Sequence, residues 1–523
     1  MQKNPFFLPS QVPSLLSFSL SIFTPEIEIV NEQIQQNILL YVLLFPLISF
    51  FAIRRTFSMS NYAMYVTALI FSAISLCLSF ELVAFFNFSK NGFQDIFHFN
   101  FIPSFDFSLR LGVDGISIFF ILLTNIFIFL CILSLSPSTM RLNEALLYLF
   151  FLQWSVLATF LLLDLRGFFL FFERTLIPIY FLVLLWGSRE RRTRASYLIA
   201  IYTLFGSIFI FFNILYLYSK TGTTDYELLL QIRLTEEDQY FLWITFFMAC
   251  AAKIPLFPLH IWLPEAHVEA PTVGSVLLAV LRLKLGTYGL VRFAVVLFPQ
   301  GTAYFAPFVS TFAIIGIIYT CLTAIRQIDL KKIIAYSSVG HRNVVLLGIV
   351  AETSEALQGA IFQRLSHGVV SGALFFGVGT IYERYSVRSL KYFGGLAHFY
   401  PLYTRIFLLF SLANISFPLT SSFVGEFRIF VGLFRHNFWA TFFAATSIVL
   451  GAVYTLWSFN RIFFGNLNVL SISSYTDLNA KELALFVPLI ISLAIIGIKP
   501  HLLLDVFFVD SINILEHAYL GRN

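Results

Sequence analysis

Six ionisable side chains stand inside long apolar stretches of this sequence: Glu173, Lys253, Lys284, His341, His367 and Glu426. A charged lysine or carboxylate at the centre of a membrane helix costs about 2.5–3.5 kcal/mol even on lenient insertion scales. For any one of these residues, a satisfied polar contact between helices explains the position as well as a functional role does. Two carboxylates, two lysines and two histidines at similar depth point instead to proton transfer. Burial moves the proton affinities of such groups toward neutrality by as much as about 3–5 pH units, and separating a Glu–Lys pair lets the lysine give up its proton. Lys253 and Lys284 each lie about 12 residues into their spans, roughly 18 Å deep at 1.5 Å per residue, and His341 lies about nine residues in. These depths place the side chains near the bilayer midplane, in a chain running parallel to the membrane.

The elements that must hold them are membrane helices. The 523 residues are 58% hydrophobic and only 12% charged, where soluble domains are near a quarter charged. Apolar runs long enough to cross roughly 30 Å of hydrocarbon with about 20 residues recur along most of the chain. The expected fold is an all-α membrane protein of about fourteen transmembrane helices. Residues 1–36 form an extension, 37–135 hold spans one to three, and 146–298 hold spans four to eight. Residues 305–464 hold spans nine to thirteen, and 482–523 form a last helix and a tail. Loops after odd-numbered spans carry Arg54, Arg55, Arg141, Arg189, Arg191, Arg192, Arg194, Arg326, Lys331, Lys332, Arg384, Arg388 and Lys391, whereas the loop at 219–240 carries Asp225, Glu227, Glu236, Glu237 and Asp238. The positive-inside rule turns the odd loops inward and both termini outward.

Two spans must be broken. Lys253-Ile-Pro255-Leu-Phe-Pro258 in the seventh removes two backbone donors within four residues, and Asn414-Ile-Ser416-Phe-Pro418 interrupts the twelfth just before Glu426. Discontinuous helices at matching places in two halves mark inverted five-helix repeats with an ion path at the breaks. Irregular backbone at membrane depth persists only inside protein or against water.

Other chemistry is poorly served. Cys77, Cys131, Cys250 and Cys321 lie singly in apolar runs with no C-x-x-C spacing, which argues against iron–sulfur, zinc and disulfide sites. Dinucleotide, Walker, haem and nucleophile-elbow motifs are missing. The net charge of +5 is scattered among loops, so the sequence offers no nucleic-acid-binding stripe. The 65 phenylalanines exceed what packing needs and suit a T-rich genome of the mitochondrial kind. The N-terminus resembles neither an Arg-rich presequence nor a secretory signal.

The segment Lys253-IPLFPLHIWLPEAHVEAPTVGSVLLAV, with LKLGTYG at 283–289, resembles the antiporter-like membrane subunits of respiratory complex I. GVDGIS (112–117), FFE-x-x-LIP (171–178), WGSRERR (186–192), RQIDLKKIIAYSSVGH (326–341), LSHGVVSGALF (365–375), FGGL (393–396) and FVGEF (423–427) extend the resemblance over roughly 110–465. It implies that Glu173 and Lys253 form the pair of a first half-channel, that Lys284 is its centre, that His341 and His367 join the halves, and that Glu426 serves the second broken helix. It also implies that NADH, FMN, iron–sulfur clusters and ubiquinone are handled by other subunits, with no cofactor on this chain. Its implied partners are the other membrane-arm subunits, above all two sister antiporter-like chains, and lipid. The implied location is the mitochondrial inner membrane, with a mitochondrial gene. A free-standing multi-subunit cation/proton antiporter and a non-pumping spacer stay open as alternatives; AHVEAPT argues against the first and the complete ionisable set against the second.

Five positions depart from that resemblance. Arg174, Arg282, Arg342, Arg364 and Arg428 stand where small, aliphatic or Met residues are usual, and five mid-span guanidiniums would add on the order of 12–17 kcal/mol to insertion. Arg364 shares a helix face with His367, three residues on. Arg282, two residues before Lys284, is expected to point away, toward lipid or a neighbouring subunit. Either the arginines rebuild the charge of the axis, or a reassigned codon or edited transcript places other residues there; the chain has only five methionines.

Overall fold

The computed structural model describes residues 24–57, 59–102, 107–466 and 477–520. Most of the expected 1–36 extension therefore lies outside the described residues. The helices are α1 Thr24–Arg55, α2 Asn61–Phe85, α3 Gly115–Ser134, α4 Leu142–Leu161, α5 Leu165–Trp186, α6 Arg192–Thr221 and the short α7 Tyr226–Gln231. They continue as α8 Glu236–Lys253, α9 Trp262–Glu269, α10 Thr272–Leu297, α11 Pro299–Ile325, α12 Leu330–Val350 and α13 Ser354–Tyr385. The chain closes with α14 Pro401–Asn414, α15 Ser421–His436, α16 Phe438–Phe463, α17 Ala480–Ile498 and α18 His501–Leu520.

Among the described residues, twelve stretches are long and apolar enough to cross a membrane as continuous helices. The seventh and twelfth expected spans are the two that are not continuous. The first stops at Lys253 and resumes as α9; the second stops at Asn414 and resumes at Ser421. Pro255 and Pro258 cannot donate to the ladder, so α8 has no continuation. At the second break Ser416 (φ 62) and Leu419 (φ 72) take the left-handed conformation that side chains resist.

Burial sorts the helices into a centre and a ring. The apolar windows of α10, α12 and α13 are 100%, 89% and 94% buried, against 28% for α2 and α17. Large apolar side chains such as Phe205, Phe212, Trp439 and Trp457 are exposed on the ring, as a lipid- or subunit-facing surface requires.

Two elements were not foreseen. Strands β1 Gln94–Ile102 and β2 Phe107–Val113 pair antiparallel between α2 and α3. The tail expected after the last span is the twenty-residue helix α18, which packs across α3, α10 and α13. Both sit at the end of the bundle opposite the arginine-rich loops.

Candidate functional site

The first break builds an ion pair. Lys253 is the last residue of α8, where unsatisfied helix carbonyls favour a cation. Its Nζ lies 2.8 Å from Glu173 Oε1 of α5 and donates to the Phe172 carbonyl at 2.8 Å. The lysine side chain is only 2% exposed, so the carboxylate is its compensation rather than water.

The second break builds another. His341 Nδ1 of α12 stands 2.5 Å from Glu426 Oε1 of α15, and Gln363 Nε2 donates to the same oxygen at 3.0 Å. The His341 and His367 rings lie 5.6 Å apart between centroids, which carries the line from α12 to α13.

Lys284 occupies the middle. Wider π-helical turns at Leu278–Arg282 and Leu290–Ala294 flank it in α10, and Nζ donates at 2.6 Å to the carbonyl of Ala279, five residues back. Such bulges leave carbonyls off the regular ladder and are frequent at functional positions. A Cβ on Gly368 would stand 3.4 Å from Lys284 Nζ, so the amine rests against α13 one residue from His367. On its other side α10 packs on α8, with Gly286 close to Lys253 Cβ. The structure thus joins Glu173 to Lys253, and His367 through His341 to Glu426. Among the described residues no hydrogen bond links Lys253 to Lys284 directly.

The arginines divide. Arg174 lies over the Trp154 and Phe151 rings at 4.3 and 4.8 Å, and Arg428 donates to Gln358 Oε1. Arg282 does not reach lipid or a neighbour. It is 1% exposed, donates to Thr203 at 3.2 Å and lies near the Trp262 ring. The expectation fails because α10 is enclosed on every side, so the face away from Lys284 is still interior. Arg342 and Arg364 are 2% and 4% exposed. Arg364 donates to the Leu283 carbonyl at 2.8 Å, but its Nε and Nη1, and both Nη atoms of Arg342, have no partner.

Sequence reasoning passed over several buried polar groups. Lys331, counted among loop bases, is enclosed and donates to the Ala270 carbonyl at 2.9 Å and Ser275 Oγ at 3.1 Å. His267 is buried with its ring stacked on Phe375. Arg292 of α10 forms a buried ion pair with Asp114, the N-cap of α3. The last signal was present as a charge within the eighth span, but its partner is 178 residues away.

Comparison with known proteins sets this arrangement in a class. Residues 162–455 match the family model described as "NADH:quinone oxidoreductase/Mrp antiporter, TM". The fold is similar to a chain of respiratory complex I from Thermus thermophilus, with a TM-score of 0.83, 27% identity, and 92% of this chain and 99% of that chain covered. It is also similar to a chain of the Mrp complex from Dietzia sp., with a TM-score of 0.81 over 94% and 99%; at 18% identity that likeness concerns fold alone. Fold and match define an antiporter-like membrane subunit.

The finer placement comes from closer relatives. The NADH-ubiquinone oxidoreductase chain 4 proteins of Marchantia polymorpha and Arabidopsis thaliana are 46% and 44% identical, over 82% and 86% of this chain and 86% and 90% of theirs. The chain belongs to the NADH-ubiquinone oxidoreductase chain 4 family.

Proposed function

We propose that the chain moves protons across the membrane as an antiporter-like subunit of an NADH:ubiquinone oxidoreductase, with Glu173, Lys253, Lys284, His341, His367 and Glu426 as the transfer groups. NADH oxidation and quinone reduction belong to other subunits, and with them FMN, iron–sulfur clusters and ubiquinone. This chain receives the released energy as a displacement of buried charge. Each proton moved against 100 mV requires about 2.3 kcal/mol. The neighbours in the membrane arm are two sister antiporter-like chains, the membrane is the mitochondrial inner membrane, and residues 146–298 and 305–464 are the two inverted repeats.

The observation that carries this reading is the buried Glu173–Lys253 pair at the end of an interrupted helix. Together the carboxylate holds the lysine charged; drawn apart, the lysine in its low-dielectric site releases a proton toward Lys284. The test is Lys253→Ala in the intact complex, reconstituted in liposomes, with protons moved per NADH oxidised as the readout. A lower ratio in an assembled complex supports the reading; an unchanged ratio assigns the chain a spacer role.

A further inference from the structure

The transfer line ends at buried groups, so a proton needs a way out of the bundle. Helix α10 carries Lys284, Tyr288 and Arg292 four residues apart, on one face, spanning about 12 Å from the centre toward the end opposite the arginine-rich loops. A void of 20 Å³ lies along this face of α10, lined by Thr287, Tyr288, Val291, Ile116 and Arg364 among others. Its lining is almost wholly apolar, so it is a gap in the packing along this face rather than a water site.

Beyond the void, Arg292 pairs with Asp114 and is held over the Phe93, Tyr288 and Tyr226 rings at 4.7, 5.5 and 5.8 Å. A second carboxylate, Asp510 of α18, meets the same cluster. Gly115 makes this possible, because a Cβ there would stand 2.7 Å from Asp510 Oδ2. Asp510 is 7% exposed and its Oδ2 has no hydrogen-bond partner. A cavity of 340 Å³ is lined by Asp114, Arg292, Asp510, Tyr226, Glu227 and His517, with room for several waters.

We propose that Asp510 is a proton-release group at this end of the bundle, fed from Lys284 along the Thr287–Tyr288 face of α10 and emptying into the cavity that Glu227 and His517 border. One guanidinium faces two carboxylates. Asp114 takes the ion pair, which leaves Asp510 as the member free to gain and lose a proton. An O–H bond forms at the Asp510 carboxylate with the proton set free when an N–H bond of the Lys284 ammonium breaks. The same bond breaks when the proton leaves to cavity water. Burial first, and the charge of Asp114 second, push the Asp510 carboxyl up to about 8 against the pull of Arg292. That value lets it exchange protons under physiological conditions.

The proposal rests on proton movement through this chain, and its test separates the two. Asp510→Asn, Asp510→Glu and Lys253→Ala are compared in the assembled, reconstituted complex. Asp510→Asn is expected to lose the share of the proton-to-NADH ratio that Lys253→Ala loses, with no further loss in the double variant, and Asp510→Glu to recover it. The ratio should also lose its dependence on pH around 8. Should Asp510→Asn fail to assemble, Asn513→Trp fills the cavity without removing a carboxylate and is expected to cause the same loss. A normal ratio and pH profile in assembled Asp510→Asn or Asn513→Trp, with the ratio lowered in Lys253→Ala, overturns the release site and leaves the proposed function standing. A normal ratio in Lys253→Ala overturns both.

Discussion

The two ends of the buried line and its middle are built on different terms. Each end is a pair: Lys253 has Glu173 at 2.8 Å, and His341 has Glu426 at 2.5 Å. The middle has cations only. Lys284 rests on a backbone carbonyl, Arg364 on another, and Arg342 leaves both Nη atoms unbonded. A paired buried charge is held by Coulomb attraction that outlives the loss of water; an unpaired one keeps nearly the whole desolvation cost. In the proposed function the ends are therefore where charge would be stored, and the middle, where charge is costly, is where it would pass on. The contrast also bears on the arginines, since a guanidinium is never usefully neutral and cannot relay as a lysine does.

The largest effect should come from breaking an end. Glu173→Gln strands Lys253 and is expected to destabilise the assembled complex by about 3–5 kcal/mol, seen as a lower unfolding temperature together with a reduced proton-to-NADH ratio. Adding Lys253→Met should restore the stability but not the pumping; restoration of both would show that the pair is structural only. Glu426→Gln should cost less, about 1.5–3 kcal/mol, because an imidazole gives up its charge more readily than an ammonium does.

The middle should respond in the opposite direction. Arg342→Met removes two unpartnered buried donors and is expected to raise stability by about 1–3 kcal/mol, checked by thermal unfolding of the purified complex. Masses of the peptides across Arg342 and Arg364 decide whether the mature chain holds arginine there at all. A neutral residue at both would make the middle a lysine–histidine relay and strengthen the contrast.

The smallest and most local effect concerns α18. Folding raises the Asp510 carboxyl from its ordinary range to about 8. A raised carboxyl binds more protons in the docked state, so this contribution to docking is fully present at low pH and is lost as pH rises through about 8. Protection of the His501–Leu520 amides, taken relative to their intrinsic exchange rates, should fall across that interval, and Asp510→Asn should remove this fall.

Much of this was legible in the sequence because membrane physics leaves few choices. Crossings need apolar runs, and the prolines at 255 and 258 and the polar stretch around Ser416 show where two of them fail. Charges inside runs reveal themselves by their cost, which is how all six transfer candidates were found. The rest was hidden for physical reasons. Asp505, Asp510 and Glu516 lower the hydropathy of α18, so it reads as a tail although it covers the bundle end. The alternating phenylalanines of β1 carry a strand period that a search for long apolar runs passes over. The spacing that turns Arg282 away from Lys284 says nothing of what lies on that side, which depends on how completely other helices wrap α10.

The most direct test of the central claim is the proton-to-NADH ratio of the reconstituted complex carrying Lys253→Ala, with assembly and NADH oxidation verified in the same preparation. A ratio clearly below that of the unaltered complex is the predicted result. An unaltered ratio at full assembly would mean that protons do not travel through this chain.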